Sequence, residues 1–265
     1  ATTLPAIDFT YYTSGAAIGL LHTVNNNRGG SIALEYTPST AYKDAAGESS
    51  PIPFVVQTLS RITDTDAITG SVKTQDFTYL GGHYYYDYQD ITTREYAGFH
   101  EVTATDALGR ITKTYFHQSE FAADNAASAL AGEYQDHISK KGRAYRQEVY
   151  DASSNLYAQT ITKWVHQDVG NGKNLVTQDR VTSYTYDGDA THRDRAVEYT
   201  HDAYTNIIQE KSYGEVIANA STGDFTDTGS DTIITGYTYA LNTTENLLHF
   251  PATIMVTDSS ATSLN

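Results

Sequence analysis

Hydrophobic and polar residues alternate along many short segments of this 265-residue chain. The segments "SIALEYT" (31–37) and "RVTSYTYD" (180–187) show the alternation clearly. Because successive side chains of a β-strand point to opposite faces, a period of two predicts half-buried strands. The same pattern predicts further strands at 53–66, 72–80, 100–106, 110–117, 195–202, 232–240 and 252–258.

Clusters of turn-forming residues separate the predicted strands. In "NNNRGG" (25–30) and "DVGNGKN" (168–174), Gly and Asn tolerate a positive φ, and short polar side chains bond nearby backbone amides. The segment 119–142 differs because it is rich in Ala and lacks alternation, and residues 122–134 predict either one short helix or a loop. We therefore predict an all-β strand-turn-strand array that forms a single domain over residues 1–265, with a possible subdivision near 119–142.

One short motif, Asp-Ala-x-x-(Asn/Arg)-(Ile/Leu), occurs at Asp106, Asp151 and Asp202. Each copy follows one predicted strand and precedes another, which places it at the bend of a β-hairpin. An Asp at that position accepts hydrogen bonds from backbone amides, and the residues that follow it tolerate a left-handed conformation. A catalytic role would require a second partner at a fixed spacing, and none recurs. We therefore predict three structural turns. Their turn residues are Asp106 and Gly109, Asp151 and Asn155, and Asp202 and Asn206.

Composition limits the possible partners. The formal net charge is −15 and the isoelectric point is about 4.8, which disfavours binding to nucleic acid or to anionic membranes. The chain has no Cys, so it has neither disulfides nor a thiolate metal site. No stretch of about 18 apolar residues is present, and we predict no membrane span.

The densest aromatic run is "GGHYYYDYQD" (81–90) in a chain with 22 Tyr residues. Tyrosines stack on sugar rings, because they combine an apolar face with a polar tip, so this run is a possible glycan-binding site. The run contains Tyr84, Tyr85, Tyr86 and Tyr88. The interpretation we favour is a strand whose tyrosines alternate between the two faces. A metal bound by His83 and Asp87 is less favoured, because no third ligand is apparent.

The acidic loop "STGDFTDTGSD" (221–231) is the best candidate for a calcium site. Its aspartates are unevenly spaced and no Glu closes the loop, so a solvated acidic loop is the favoured interpretation. The chain contains no HExxH motif, nucleophile elbow, P-loop or dinucleotide fingerprint. We therefore predict a protein that is not an enzyme and that has no cofactor and no metal.

The repeated turn motif resembles the YD repeat of the Rhs family, Tyr-Asp-x-x-Gly-Asn-Leu. Tyr150, Asp151, Asn155 and Leu156 match this repeat, and Ser154 stands where the family has Gly. Longer stretches resemble one branch of that family, the SpvB-like and TcB-type components of bacterial toxin complexes. The stretches are 20–42, 51–62, 94–118, 141–157 and 223–258, and they occur in the order expected for that branch.

The resemblance implies that the strands form a spooled antiparallel sheet, a section of the wall of a β-shell that encloses or delivers a toxin. It further implies a bacterial protein that is secreted or on the cell surface, with other parts of the same toxin protein or toxin-complex subunits as partners. Two alternatives from other classes stay open. One is a self-assembling extracellular surface fibre, and the other is a carbohydrate-binding surface adhesin that uses the tyrosine run.

Overall fold

The structure is a computed structural model that describes residues 6–43, 47, 51–86, 89, 91–118, 131–133, 136–260 and 262. The chain divides into two compact units. The first unit comprises Ala1–Tyr115 and Val149–Ser154, and the second comprises Phe116–Glu148 and Asn155–Asn265. Strands form most of the described residues of both. The predicted 122–134 helix or loop lies almost entirely outside the described residues.

The strands of the first unit pair antiparallel in the order of the chain, so each strand lies beside the strand that follows it in the sequence. They are β1 (Asp8–Tyr11), β2 (Leu21–Asn25), β3 (Gly30–Pro38), β4 (Gln57–Asp66), β5 (Ser71–Tyr85), β6 (Glu95–Asp106) and β7 (Ile111–Phe116, of which Phe116 belongs to the second unit). Short 3₁₀ turns lie at Ser39–Ala41 and Ile91–Thr93.

The second unit continues the same plan from β8 to β12. Its strands are β8 (Ala144–Tyr150, of which 149–150 belong to the first unit), β9 (Leu156–Asp168), β10 (Asn174–Tyr186), β11 (His192–His201), β12 (Ile207–Ala218), β13 (Phe225–Asp227), β14 (Ile233–Tyr239) and β15 (Pro251–Asp258). One end of β12 pairs with β13 and the other end pairs with β14, which in turn pairs with β15. A 3₁₀ turn lies at Ile138–Lys140.

Bulges interrupt the strand register at several places. The pairing skips Ser60 in β4, Ala97 in β6, Asp179 in β10 and Ile208 in β12. An extra residue on one strand bends that strand and increases its twist. Repeated bulges therefore give an antiparallel sheet the curvature that a flat ladder lacks.

Side-chain burial differs between the units. In the first unit, Phe99 and Ala97 of β6 are the buried apolar side chains among the described residues. In the second, Ile161, Tyr184, Tyr186, Ala196, Val216 and Ala218 form one buried cluster. Leu156, Tyr213, Ala220 and Phe225 pack against that cluster.

The prediction of an all-β antiparallel fold is confirmed, and every predicted strand overlaps an observed one. The predicted strand 53–66 was wrong at its start, because β4 begins at Gln57. Pro51 and Pro53 lack the N–H that a ladder needs. Strands β1, β2 and β13 were not predicted. All four side chains of β1 are exposed, so it has no buried face. The prediction of a single domain stays a prediction.

Candidate functional site: hairpin turns and a buried cluster

The turn at Asp106 is a three-residue hairpin loop between β6 and β7. The Asp106 N–H donates to the Arg110 carbonyl at 2.9 Å, and the Gly109 N–H donates to the Asp106 carbonyl at 2.9 Å. Gly109 has φ of +78°, as expected for a type I turn closed by a left-handed residue. The Asp106 Oδ1 accepts from the amides of Leu108 and Arg110, both at 2.9 Å, and Oδ2 accepts from Arg110 Nε at 2.7 Å.

The turn at Asp202 repeats this arrangement between β11 and β12. Its Oδ1 accepts from the amides of Tyr204 at 2.8 Å and Asn206 at 2.9 Å, and its Oδ2 accepts from Asn206 Nδ2 at 2.8 Å. Asn206 is buried and also donates to the Leu248 carbonyl at 2.9 Å. It bonds His249 Nδ1 as well. This turn therefore anchors the segment that precedes β15.

The turn at Asp151 lies between β8 and β9. Asp151 Oδ1 accepts from the Ser153 amide at 2.8 Å, and the Ser154 amide donates to the Asp151 carbonyl at 3.0 Å. Asn155 follows the turn, directly before β9. A Cβ placed on Gly109 would lie 3.4 Å from the Cβ of Ala152, so the turns at Asp106 and Asp151 lie side by side in the first unit.

The position that holds Gly109 in the first turn is occupied by Ser154 and Thr205 in the other two. Both adopt the left-handed conformation, with φ of +66° and +68°. A residue with a Cβ at positive φ costs roughly 1–2 kcal/mol, and a β-branched residue is an outlier there. The hydrogen bonds of Asp151 and Asp202 hold these strained residues in place.

Asp66 and Asp258 also accept backbone hydrogen bonds in turns, at the ends of β4 and β15, although neither carries the full motif. Asp66 Oδ1 accepts from the Ile68 amide at 2.9 Å, and Gly70 follows with φ of +72°. Asp258 Oδ1 accepts from the amides of Ser260 at 2.9 Å and Thr262 at 2.8 Å. The signal at Asp66 was present, since "DAITG" (66–70) contains the Asp-Ala pair and a Gly, but it lacks the Asn or Arg that follows in the other copies.

The carboxylates of Asp106 and Asp202 have lowered pKa values. Desolvation opposes ionisation of Asp106 and Asp202, but the hydrogen bonds from Arg110 and Asn206 outweigh it and lower both pKa values. Each carboxylate is satisfied mainly within its own loop.

Hydroxyl groups of tyrosines donate to backbone carbonyls on neighbouring strands. Tyr79 donates to the Leu59 carbonyl at 2.8 Å, and Tyr239 donates to the Ile207 carbonyl at 2.9 Å. Each acceptor lies beside a strand bulge, at Ser60 and Ile208 respectively. A bulge disrupts the ladder locally, and the tyrosine tip satisfies an acceptor there.

The described part of the tyrosine run belongs to the first unit. Tyr84 lies edge-on to Phe54 at 5.5 Å between ring centroids, and Tyr85 packs on His83 at 4.6 Å. The guanidinium of Arg94 lies 4.6 Å from the ring of Tyr86. Tyr88 and Asp87 lie outside the described residues. Glycan binding by this run stays a prediction.

The aspartates of the acidic loop each bond protein donors. Asp224 Oδ1 accepts from Arg180 Nη2 at 2.8 Å, and Asp227 Oδ1 accepts from the Gly229 amide at 3.2 Å. Asp231 Oδ2 accepts from the Glu215 amide at 3.3 Å. These contacts give the three carboxylates separate structural partners.

The loop 219–224 lies over β10 in the second unit. Alternate residues of β10, which share one face, donate to it. Thr182 Oγ1 donates to the Gly223 carbonyl at 2.7 Å, and Tyr184 Oη donates to the Asn219 carbonyl at 2.8 Å. Together with the bond from Arg180 to Asp224, these contacts fasten the loop over the buried apolar cluster.

A second covering element is formed by residues 131–133 and 136–142, which we call the cover segment. A Cβ placed on Gly132 would lie 3.2 Å from Ile161 of β9, so the segment touches the apolar cluster. His137 stacks on His166 of β9 with 3.6 Å between ring centroids and an interplanar angle of 6°. The cover segment also carries Glu133, Asp136 and Lys140, all of which are buried.

Three ligand-type side chains converge beneath the cover segment. His117 Nδ1 lies 2.9 Å from Asp136 Oδ1 and 3.7 Å from Glu133 Oε1. His117 is fully buried, and the two carboxylates are nearly so. Burial lowers the pKa of His117, but Asp136 and Glu133 raise it more, and the net pKa lies above the usual value. These residues were not predicted as a site, because their spacing in the sequence matches no motif.

Among the described residues, no helix is long and apolar enough to cross a membrane.

Residues 2–125 match the family model described as "Insecticide toxin TcdB middle/N-terminal region". This match confirms the predicted similarity to toxin-complex components. No match was found among the curated proteins.

The fold is similar to solved structures of toxin complexes. For "Crystal Structure of TcdB2-TccC3-Cdc42" the TM-score is 0.62 at 18% identity, and for "Crystal Structure of TcdB2-TccC3-TEV" it is 0.62 at 19% identity. For "Crystal Structure of TcdB2-TccC3 without hypervariable C-terminal region" the TM-score is 0.61 at 19% identity. Each match covers 94% of this chain, which spans 16% of the length of the matched chain. At this identity, the likeness shows a shared fold.

Proposed function

We propose that this chain is a non-enzymatic β scaffold that forms part of the wall of a toxin-delivery shell. The observation that carries the proposal is the fold match, which covers 94% of this chain and relates it to structures that contain TcdB2 and TccC3. The family match over residues 2–125 supports the same assignment from sequence. A wall built from antiparallel hairpins pairs most backbone groups between successive strands, which suits a large curved surface.

The structural role of the turn aspartates supports a scaffold rather than an enzyme. A general base or nucleophile needs an oxygen that can reach a substrate. Asp106 and Asp202 instead use both carboxylate oxygens to hold their own loops. We propose that Asp106, Gly109, Asp151, Asn155, Asp202 and Asn206 shape hairpins and do not take part in chemistry.

We further propose that the chain acts in a secreted bacterial protein, with other toxin-complex subunits as partners. The solved structures that share its fold contain TcdB2 together with TccC3. This likeness favours a partner similar to TccC3, or another part of the same polypeptide. The charge of −15 supports our prediction that nucleic acid is not a partner.

Electron cryomicroscopy of the full-length protein bound to its toxin-complex partner tests this proposal. We expect residues 6–118 and 136–260 to form part of a closed wall, with one face toward an enclosed volume. A map in which these residues lie outside any enclosing wall would overturn the shell assignment. Filaments joined through strand edges would favour the fibre alternative.

A further inference from the structure

The cluster of His117, Glu133 and Asp136 in the second unit is unusual because it buries two carboxylates beside one imidazole. The side chains of His117, Glu133 and Asp136 are 0%, 5% and 6% exposed. Buried carboxylates are retained when they are paired with positive charge or when they coordinate a metal. The imidazole supplies at most one positive charge, so the three groups alone keep a negative balance.

His117 also carries a buried atom without a partner. Among the described residues, nothing bonds its Nε2. A fully buried ring nitrogen with no partner calls for an explanation, and a buried water beside the ring is one. This observation is independent of the contacts at Nδ1.

We propose that His117, Glu133 and Asp136 bind a divalent transition-metal ion of the Zn²⁺ class. One atom from each of the three residues lies within 4.8 Å of the others. Two ligands of a tetrahedral zinc ion are about 3.4 Å apart, given bond lengths near 2.1 Å. The distances from His117 Nδ1, 2.9 Å to Asp136 and 3.7 Å to Glu133, lie on either side of that value.

The chemistry of the ligands selects among metals. Imidazole suits Zn²⁺, Cu²⁺ and Ni²⁺, whereas Ca²⁺ and Mg²⁺ prefer sites made of oxygen ligands alone. One nitrogen and two carboxylates therefore favour zinc over calcium or magnesium. Three protein ligands leave a fourth position for a water molecule.

The backbone around His117 is already ordered for this role. Its N–H donates to the Arg143 carbonyl at 3.0 Å, and its carbonyl accepts from the Gly142 amide at 2.9 Å. The ring of Tyr145 packs against the imidazole with 4.9 Å between centroids. These contacts fix the imidazole, so metal binding would order few additional groups. The ion would join the end of β7 to the cover segment. This proposal departs from the sequence-based prediction of no metal and does not depend on the shell assignment.

The test uses the whole chain, without a polyhistidine tag and after dialysis against a chelator. Melting temperature is measured at pH 8 with added ZnCl₂, CaCl₂ or MgCl₂, and bound metal is measured by elemental analysis. We expect about one zinc ion per chain and a melting temperature that rises with zinc but not with calcium or magnesium. Co²⁺ at the site should give visible absorption bands, a readout that does not depend on stability.

Two variants make the test specific. Glu133→Gln keeps the size of the side chain and should weaken zinc binding by at least about tenfold. His192→Gln is the matched control, because it removes another His that contacts a buried Asp, Asp194, at a site where the described residues offer no third ligand. The control should keep the zinc response of the parent chain.

The proposal is overturned if the parent chain binds no zinc and its melting temperature does not change. It is also overturned if Glu133→Gln responds to zinc as the parent chain does, because zinc then binds elsewhere.

Discussion

The two units use the same hairpin plan but differ in what covers their sheets. In the first unit, the buried side chains among the described residues are those of Ser39, Thr58, Ala97 and Phe99. The second unit has a contiguous apolar cluster, and both the 219–224 loop and the cover segment lie against it. Strand pairing, turns and hydrogen bonds from tyrosine hydroxyls are therefore sufficient to order an antiparallel sheet. A packed apolar core additionally requires segments that cover one face of the sheet.

Truncating one isoleucine in each unit tests this difference most strongly. Ile161→Ala in the second unit should lower the free energy of unfolding by about 2–5 kcal/mol, because the side chain is 1% exposed and leaves a cavity. Ile32→Ala in the first unit should cost less than about 1 kcal/mol, because Ile32 is 41% exposed. Chemical denaturation of both variants measures the costs, and equal values would contradict the comparison.

Removing one hydroxyl group from each unit gives a smaller effect. Tyr184→Phe removes one of three donors to the Asn219 carbonyl, which keeps the amides of Thr222 and Gly223. The change should cost about 1–1.5 kcal/mol, because the Tyr184 side chain is buried and water cannot replace its hydroxyl. Tyr79→Phe removes an equivalent bond to the Leu59 carbonyl, but water can replace the donor because Tyr79 is half-buried. Its cost should be about 0.5–1 kcal/mol. Denaturation midpoints that rank the two variants in the opposite order would count against this explanation.

Local chemistry explains why the strands and the turns were predictable from sequence. The geometry at Asp106 depends on five consecutive residues, and "DALGR" specifies it without reference to the rest of the chain. The cluster of His117, Glu133 and Asp136 was not predictable. Its members meet because the cover segment folds over the sheet, and no sequence period encodes that contact. The exposed strand β1 was missed for a related reason, since it has no buried face.

The strained turn residue Thr205 offers a change that should stabilise the chain. Thr205→Gly should raise the free energy of unfolding by about 0.5–1 kcal/mol, because Gly adopts the φ of +68° without a steric cost. Ala203→Gly in the same loop is the control, and should be neutral or slightly destabilising because that residue is not at positive φ. Thermal unfolding distinguishes them, and destabilisation by Thr205→Gly would refute the assignment of strain.

The smallest expected effect is a pH dependence of the turns. Because Asp202 has a lowered pKa in the folded protein, its contribution to stability is present above about pH 4 and is lost as the pH falls through the lower folded value. Asp202→Asn should remove part of the stability difference between pH 6 and pH 2.5. Urea unfolding at the two pH values measures this, and an unchanged difference would show that the carboxylate does not support the turn.

The central claim is that this chain works as a wall, and protection of an enclosed segment tests it most directly. The full-length protein and its partner are treated with protease while the cleavage rate of the enclosed segment is followed. The account predicts that Ile161→Ala speeds cleavage at temperatures where it loosens the second unit, while Ile32→Ala leaves the rate unchanged. Cleavage that is equally fast in the parent protein and in both variants would contradict the claim.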